Sequence, residues 1–273
     1  MKVVAMMMPA ESGGALDEDL KIAFGANWEV SSVVKATGSL GLPVRGEIAF
    51  RFVRAVGRTD PAQFLGRLQA GSVVPMSILL ETVKPSLEQG WKLLCADGKT
   101  PTKTTVIQPL QSVIDFVSKT GGLPACDLDQ YGFPDAEWNE LSSAQMRRAV
   151  VLLSWAVFAK TAEGACCDLD DATGPIFLGG ALPNTGGLKM FIVFPAYSAE
   201  QPSPAGLCRT AGPVSLAVKT LTPYHVLAAR GYAPPGRVNL STLAPRTAHR
   251  AAGAAMPTTA AVACVLACMQ ASM

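Results

Sequence analysis

A chain of 273 residues is long enough for one large domain or two smaller ones, with a substantial core. Apolar residues make up 49% and charged residues 16%, so either partners cover part of the surface or small residues such as Ala, Gly, Ser, Thr and Pro form much of it. A net charge of +2 excludes attraction to nucleic acid through overall charge. The distribution is uneven, however: residues 172–273 hold seven basic groups and one acid, Glu200, whereas residues 131–171 hold three basic and seven acidic groups. The basic end suits phosphate or an acidic neighbour, and arginines dispersed for solubility are the plain alternative.

At the amino end, MKVVAMMMPAESGG carries one lysine and an apolar run too short for a secretory h-region. The seven cysteines are therefore expected to be reduced thiols in an intracellular chain. ALDEDLKIAF predicts a helix whose acids lie at its positive end. WEVSSVVKA and EIAFRFVRAV predict strands, the second because Ile48, Phe50 and Phe52 alternate with Glu47, Ala49 and Arg51. Joined through GSLGLP they form a hairpin, whose apolar face needs another layer to cover it. Asp60-Pro61 sets a cap before a proline at the first helical position, opening a helix over AQFLGRLQA that stops by Gly71. PMSILLETV predicts another turn or two, and Pro85 opens SLEQGWKLLCA, with Gly90 unfavourable at its middle. LQSVIDFVSKT and DAEWNEL predict further helices among the loops DGKTPTKTT and GGLPACDLDQYGFP.

The stretch SSAQMRRAVVLLSWAVFAKTAEG, residues 142–164, begins with Ser142 and Gln145 in capping-box spacing. Met146, Val150, Leu153 and Val157 form one stripe, while Val151, Leu152, Trp155 and Phe158 fill the other sides. A helix apolar all round must be surrounded, as the pillar of its own domain or partly by a neighbouring copy. GPIFLGG, LKMFIVFP and PVSLAVKT predict strands, and Thr222-Pro223 opens a helix over YHVLAAR that Gly231 stops. Beyond Tyr232 no period is sustained, so the chain reads as an extended arm. Its apolar end, AVACVLACM, is expected to regain helical or strand character, is too short for a bilayer span and is suited to a groove on the same or the next chain.

The expected fold class is mainly α with a few short β strands (α+β), a helical body around a central apolar helix with an extended C-terminal arm. Residues 1–170 form the mainly helical body with its N-terminal hairpin, 171–231 a mixed strand and helix region packed on it, and 232–273 the arm.

Chemistry-bearing patterns are sparse. CDLD recurs at 126–129 and 167–170, and the second copy runs on through DATG with acids spaced as in a calcium loop. It lacks the third alternate ligand, the sixth-position glycine and the closing glutamate, so an acidic turn is the reading. Without a Cys-x-x-Cys pair no zinc site is expected, and no metal or other cofactor is assigned. The G-x-S-x-G elbow, the phosphate-binding loop and the H-E-x-x-H helix are absent from the sequence. An enzyme would have to assemble its site from Asp127, Asp129, Asp168 and Asp170 as acid/base or metal groups, or from Cys208 with His225.

Arginine is more suggestive. Arg45, Arg51, Arg54, Arg58 and Arg67 crowd the hairpin and the helix after it, and Arg147 and Arg148 stand near the start of the central helix. Guanidinium forks hold phosphates without reading bases; ion pairs with Glu47, Asp60, Glu81 and Glu88 are the alternative. The leading expectation is a self-assembling structural protein, a coat or nucleocapsid subunit. These seven arginines would carry single-stranded nucleic acid without sequence preference, and Trp155, Phe158, Val262, Val265 and Leu266 would meet other copies. It would need no membrane and would work inside the cell or in a virion. An intracellular enzyme with a dispersed site and a monomeric accessory binding protein are the alternatives.

Overall fold

The computed structural model of the chain describes residues 3–10, 15–69, 71–74, 76–96, 119, 142–158, 165–169, 171, 173–178, 182, 190–195, 216–232 and 237–272. In chain order the elements are β1 (Val3–Pro9), α1 (Ala15–Phe24), β2 (Trp28–Ala36), β3 (Glu47–Ala55), α2 (Pro61–Arg67), α3 (Met76–Glu81), α4 (Pro85–Ala96) and α5 (Ser143–Phe158). There follow β4 (Ala165–Asp168), β5 (Phe177–Leu178), β6 (Met190–Pro195), β7 (Leu216–Leu221), α6 (Pro223–Ala229), α7 (Pro245–Ala254) and α8 (Thr258–Gln270). The fold is mixed α and β, mostly helical. The predicted helices at 110–120 and near 135–141 lie outside the described residues, apart from Lys119.

Alternation in β3 makes the first sheet. β2 and β3 pair antiparallel, with Trp28 opposite Ala55 and Ala36 opposite Glu47, as the hairpin reading requires. β1 adds to the far side of β3, Val3 opposite Arg54, giving the order β1-β3-β2. One face presents Ile48, Phe50 and Phe52, buried against Ala62 and Leu65 of α2 and against Ala260, Ala263, Cys264, Ala267 and Cys268 of α8. These α8 positions follow i, i+3, i+4 spacing, and their small side chains let the helix lie close over the two phenylalanines. The other face carries Ala49, Arg51 and Val53, all buried. There α1, packed beside β2, brings Asp17 to Arg51.

α2 starts as predicted: the Asp60 carboxylate accepts from the Ala62 N–H at 2.9 Å. It also accepts from the Ser31 hydroxyl at 2.6 Å and lies 3.8 Å from Arg54 Nε. The helix ends at Arg67, before Gly71. Asp60→Ala is expected to cost about 1–2 kcal/mol, the usual weight of an N-cap, read as a lower urea midpoint with unchanged slope.

The second sheet, ordered β5-β4-β6-β7, is antiparallel throughout. It straddles residue 170, since β4 precedes that position and β5 follows it. A parallel bridge between Val44 and Leu182 ties it to the loop before β3, with Arg45 N–H donating to the Leu182 carbonyl at 2.6 Å. α5 packs on β4 and β6, and its capping box forms: Ser142 N–H donates to Gln145 Oε1 at 3.0 Å and Gln145 N–H to Ser142 Oγ at 3.4 Å. Over the first part of α5, Met146, Ala149, Val150 and Leu152 are buried while Arg147 is exposed, so this part is one-sided. The side chains of residues 153–158 of α5 lie outside the described residues; α6 is enclosed, all of its residues being buried. Its seven residues are too few for an apolar period to announce it.

The expected extended arm is corrected. Residues 245–254 and 258–270 are helices docked on the chain's own body, because their alanines favour helix and offer small faces for packing. Pro245 sits at the first helical position of α7. Within Pro245–Gln270 an 18-residue window reaches mean hydropathy 1.7, long and apolar enough by composition to cross a membrane, yet the run breaks at residues 255–257. Three contacts hold that elbow. Arg230 donates to the Ala255 carbonyl at 2.7 Å, Tyr232 OH to the Met256 carbonyl at 3.0 Å, and Thr258 N–H to the Arg230 carbonyl at 3.0 Å.

Candidate functional site

Once the inner stripe of α8 is committed to the core, helical period dictates what faces outward. Val262, Val265, Leu266 and Met269 stand at i, i+3, i+4 and i+7 on that side, exposed at 57%, 58%, 44% and 57%. The helix carries no charged residue. Burying a large apolar side chain is worth about 1.5–3 kcal/mol, so a row of four left in water is the kind of patch that marks an interaction surface. Val262, Val265 and Leu266 are the expected subunit contacts; Met269 was missed, although one more step of the same spacing reaches it. Trp155 and Phe158 lie in α5, but their side chains fall outside the described residues.

The seven arginines divide into two groups. Arg51 is enclosed, its side chain 4% exposed and its Nε 2.5 Å from Asp17 Oδ1. Arg54 is ion-paired with Glu29, lies near Asp60, and donates to the Arg58 carbonyl at 2.8 Å. Arg148 donates to the Gly174 carbonyl and hydrogen-bonds the Cys167 thiol. Of the partners foreseen, Asp60 is present; Glu29 was legible in the register, being opposite Arg54; Asp17 depends on where α1 docks. Arg45, Arg58, Arg67 and Arg147 are exposed, with Arg45 6.0 Å above the centroid of the Phe177 ring.

The candidates for an enzyme site divide similarly. Asp127, Asp129, Asp170 and Cys208 lie outside the described residues. Asp168 ends β4. In the turn that follows, Asp171 Oδ1 accepts from the Thr173 hydroxyl at 2.9 Å and its N–H at 3.0 Å. These bonds hold its carboxyl below the usual carboxylate range, and the turn needs no metal to close. His225 is buried, and its Nδ1 accepts the Thr222 N–H at 3.0 Å. The ring proton therefore sits on Nε2, 3.9 Å from Glu88 Oε2, and the imidazole serves to cap α6. Burial pushes the thiols of Cys166 up to about 12 and of Cys167 and Cys264 up to about 11, so all three are protonated at neutral pH.

A cleft of about 440 Å³ opens between α4 and residues 238–241, with Trp91 and Tyr224 in its wall and Ser86 and Asn239 among its polar groups. None of the described acid, cysteine or histidine candidates lines it, and no group of three possible metal ligands converges among the described residues. No protein-family model and no curated protein matches the chain. The outer face of α8 is thus the best-formed candidate, and the reading rests on its geometry.

Proposed function

We propose that the chain is a self-assembling structural protein, a subunit of coat or nucleocapsid type that works inside the cell or in the particle it builds. Its copies meet through the outer face of α8, and its exposed arginines hold single-stranded nucleic acid without reading sequence. The observation that carries this is the row Val262, Val265, Leu266 and Met269. It stands on a helix whose opposite face is locked into the core and whose first turn is clamped at the elbow, so the row cannot turn inward to hide itself. Another copy supplies the missing cover.

The arginine half of the proposal rests on Arg58 and Arg67, exposed on neighbouring elements, with Arg45 and Arg147 as further exposed cations. Such groups position a phosphate backbone, and the attraction weakens steeply with salt.

The test is particle mass by light scattering, with absorbance at 260 and 280 nm. Replacing Val262, Val265, Leu266 and Met269 together by serine is expected to convert large species to folded monomers, and assembly that survives overturns the reading. Arg58→Ala with Arg67→Ala is expected to lower bound nucleic acid and flatten its salt dependence while folding is unchanged; equal binding removes the nucleic-acid half.

A further inference from the structure

We infer that the cleft between α4 and residues 238–241 is a binding site for an uncharged, flat aromatic molecule that carries a hydrogen-bond acceptor. The site is separate from the outer face of α8 and does not depend on assembly.

Gly90 is the first observation. It stands sixth of the twelve residues of α4, where glycine is among the least favourable choices for a helix. Nothing in the chain requires it there. Its φ is not positive, and a Cβ placed on it would meet nothing within 4 Å, so neither backbone nor packing forbids a side chain. What the missing side chain keeps open is the cleft, which Gly90 lines. Ser86, Gly90 and Leu94 follow one another at i, i+4 and i+8 and form one row of the wall. From Ser86 to Leu94 this row runs two turns, about 12 Å, with a gap at its middle wide enough for a flat ring. Glycine lets a ligand approach the backbone closely.

Behind the gap the wall is aromatic and fixed. Trp91 is 6% exposed and is held edge-on from two helices: by Tyr224 of α6, with ring centroids 6.2 Å apart at 89°, and by His249 of α7, 5.8 Å apart at 75°. The indole is therefore positioned before any ligand arrives. Flat rings pair with such side chains by offset or edge contacts, and Leu87 and Val238 extend the apolar wall.

Charge and polarity narrow the ligand class further. Among the described residues, no charged side chain lines the cleft, so a ligand bringing a charge would give up water without gaining a counter-ion. Two donors stand on opposite sides, the Ser86 hydroxyl on α4 and the Asn239 amide on the facing segment. Asn239 is oriented by its neighbour: its Oδ1 accepts from the Ser241 N–H at 3.0 Å and from the Ser241 hydroxyl at 2.6 Å. The donor half of that amide is left for an acceptor on the ligand. A mainly apolar wall with a few placed polar groups, around about 440 Å³, is the usual composition of a small-molecule site.

The test uses the full-length chain and three probes on one two-ring frame: naphthalene-2-carboxamide, 2-naphthoate and 2-methylnaphthalene, followed by saturation-transfer NMR and titration calorimetry. The carboxamide is expected to bind. The naphthoate should bind about tenfold more weakly because its charge finds no partner, and the methyl compound about threefold to tenfold more weakly because it has no acceptor. Gly90→Leu fills the gap from the helix itself. It is expected to raise the urea midpoint, since leucine is the better helix former, and to weaken the carboxamide by about tenfold or more. Binding lost from a chain made more stable is not lost by unfolding. If leucine is not tolerated, Gly90→Ala carries the same test with a smaller loss. Ser86→Ala is expected to narrow the difference between the carboxamide and the methyl compound. No binding of the carboxamide to wild type overturns the inference, as does equal binding by folded Gly90→Leu and Gly90→Ala chains. Naphthoate binding as tightly as the carboxamide overturns the uncharged class. None of these outcomes alters the assembly reading, which particle mass decides.

Discussion

Gly231→Ala is expected to loosen the C-terminal helices from the body and to lower stability by about 2–3 kcal/mol. Gly231 stops α6 with φ at 85°, where an L side chain costs about 1–2 kcal/mol. Here a Cβ would also stand 2.2 Å from Thr258 Oγ1, the hydroxyl that donates to the Gly231 carbonyl at 3.1 Å. The helix cannot keep this bond and admit the methyl group, so a further hydrogen bond worth about 1 kcal/mol is lost. A double variant with Thr258→Ala separates the two terms: it removes the collision and keeps the backbone strain, so part of the loss should return. The urea midpoint measures both. Particle mass gives a second readout, because a row of apolar side chains on a loosened helix no longer presents a fixed surface. A Gly231→Ala chain as stable as wild type would mean that the elbow clamp has no weight in holding α8.

Much of this architecture was legible from local signals, and the failures share one cause. Asp60-Pro61, Pro85, the Ser142–Gln145 box and Thr222-Pro223 each marked a helix start that the structure contains, because caps and prolines act through their own backbone neighbours. The alternation over Glu47–Phe52 made the hairpin visible for the same reason. β1 was not visible: VVAMMMP is apolar at most positions, so it has no period of two to read, and its partner β3 is distant along the chain, Val3 pairing with Arg54 and Pro9 with Ile48. β4 was hidden in the CDLD echo, where two aspartates suggested a turn although Cys166 and Cys167 are buried in the sheet. The stretch before AVACVLACM misled through proline and threonine, which mark only the ends of the alanine-built helix α7, whereas AVACVLACM itself is expected to regain regular structure and lies in α8.

The candidate site shows the same division. That AVACVLACM must pack against something follows from its composition, and Val262, Val265 and Leu266 could be named from it. Which of its sides stays outside depends on the small residues that fit over Phe50 and Phe52, a match between elements some two hundred residues apart. The arginines failed in the converse way. Alternation correctly turned Arg51 away from the phenylalanines, but a sequence does not say whether a helix covers the second face of a sheet.

Arg51→Glu is accordingly expected to act as a folding defect. Its guanidinium is enclosed beside Asp17, itself only 27% exposed, on a face also holding Ala49 and Val53. Reversing the charge sets two carboxylates against each other under α1 with their cation gone. Removing one partner of a buried pair costs about 3–5 kcal/mol; Asp17 retains some water, which places the expected loss near 3 kcal/mol by urea unfolding. Arg51→Met keeps the volume, avoids the second negative charge and should cost less, and Asp17→Arg combined with Arg51→Glu should recover part of the deficit by restoring an ion pair. Under the packaging proposal, any nucleic acid lost from Arg51→Glu should then track the unfolded fraction, whereas Arg58→Ala with Arg67→Ala is expected to lose it with the fold intact. A chain with Arg51→Glu that is as stable as wild type yet sheds bound nucleic acid would place this arginine on the outside, open to phosphate, and with it would go the helix-covered second face of the sheet.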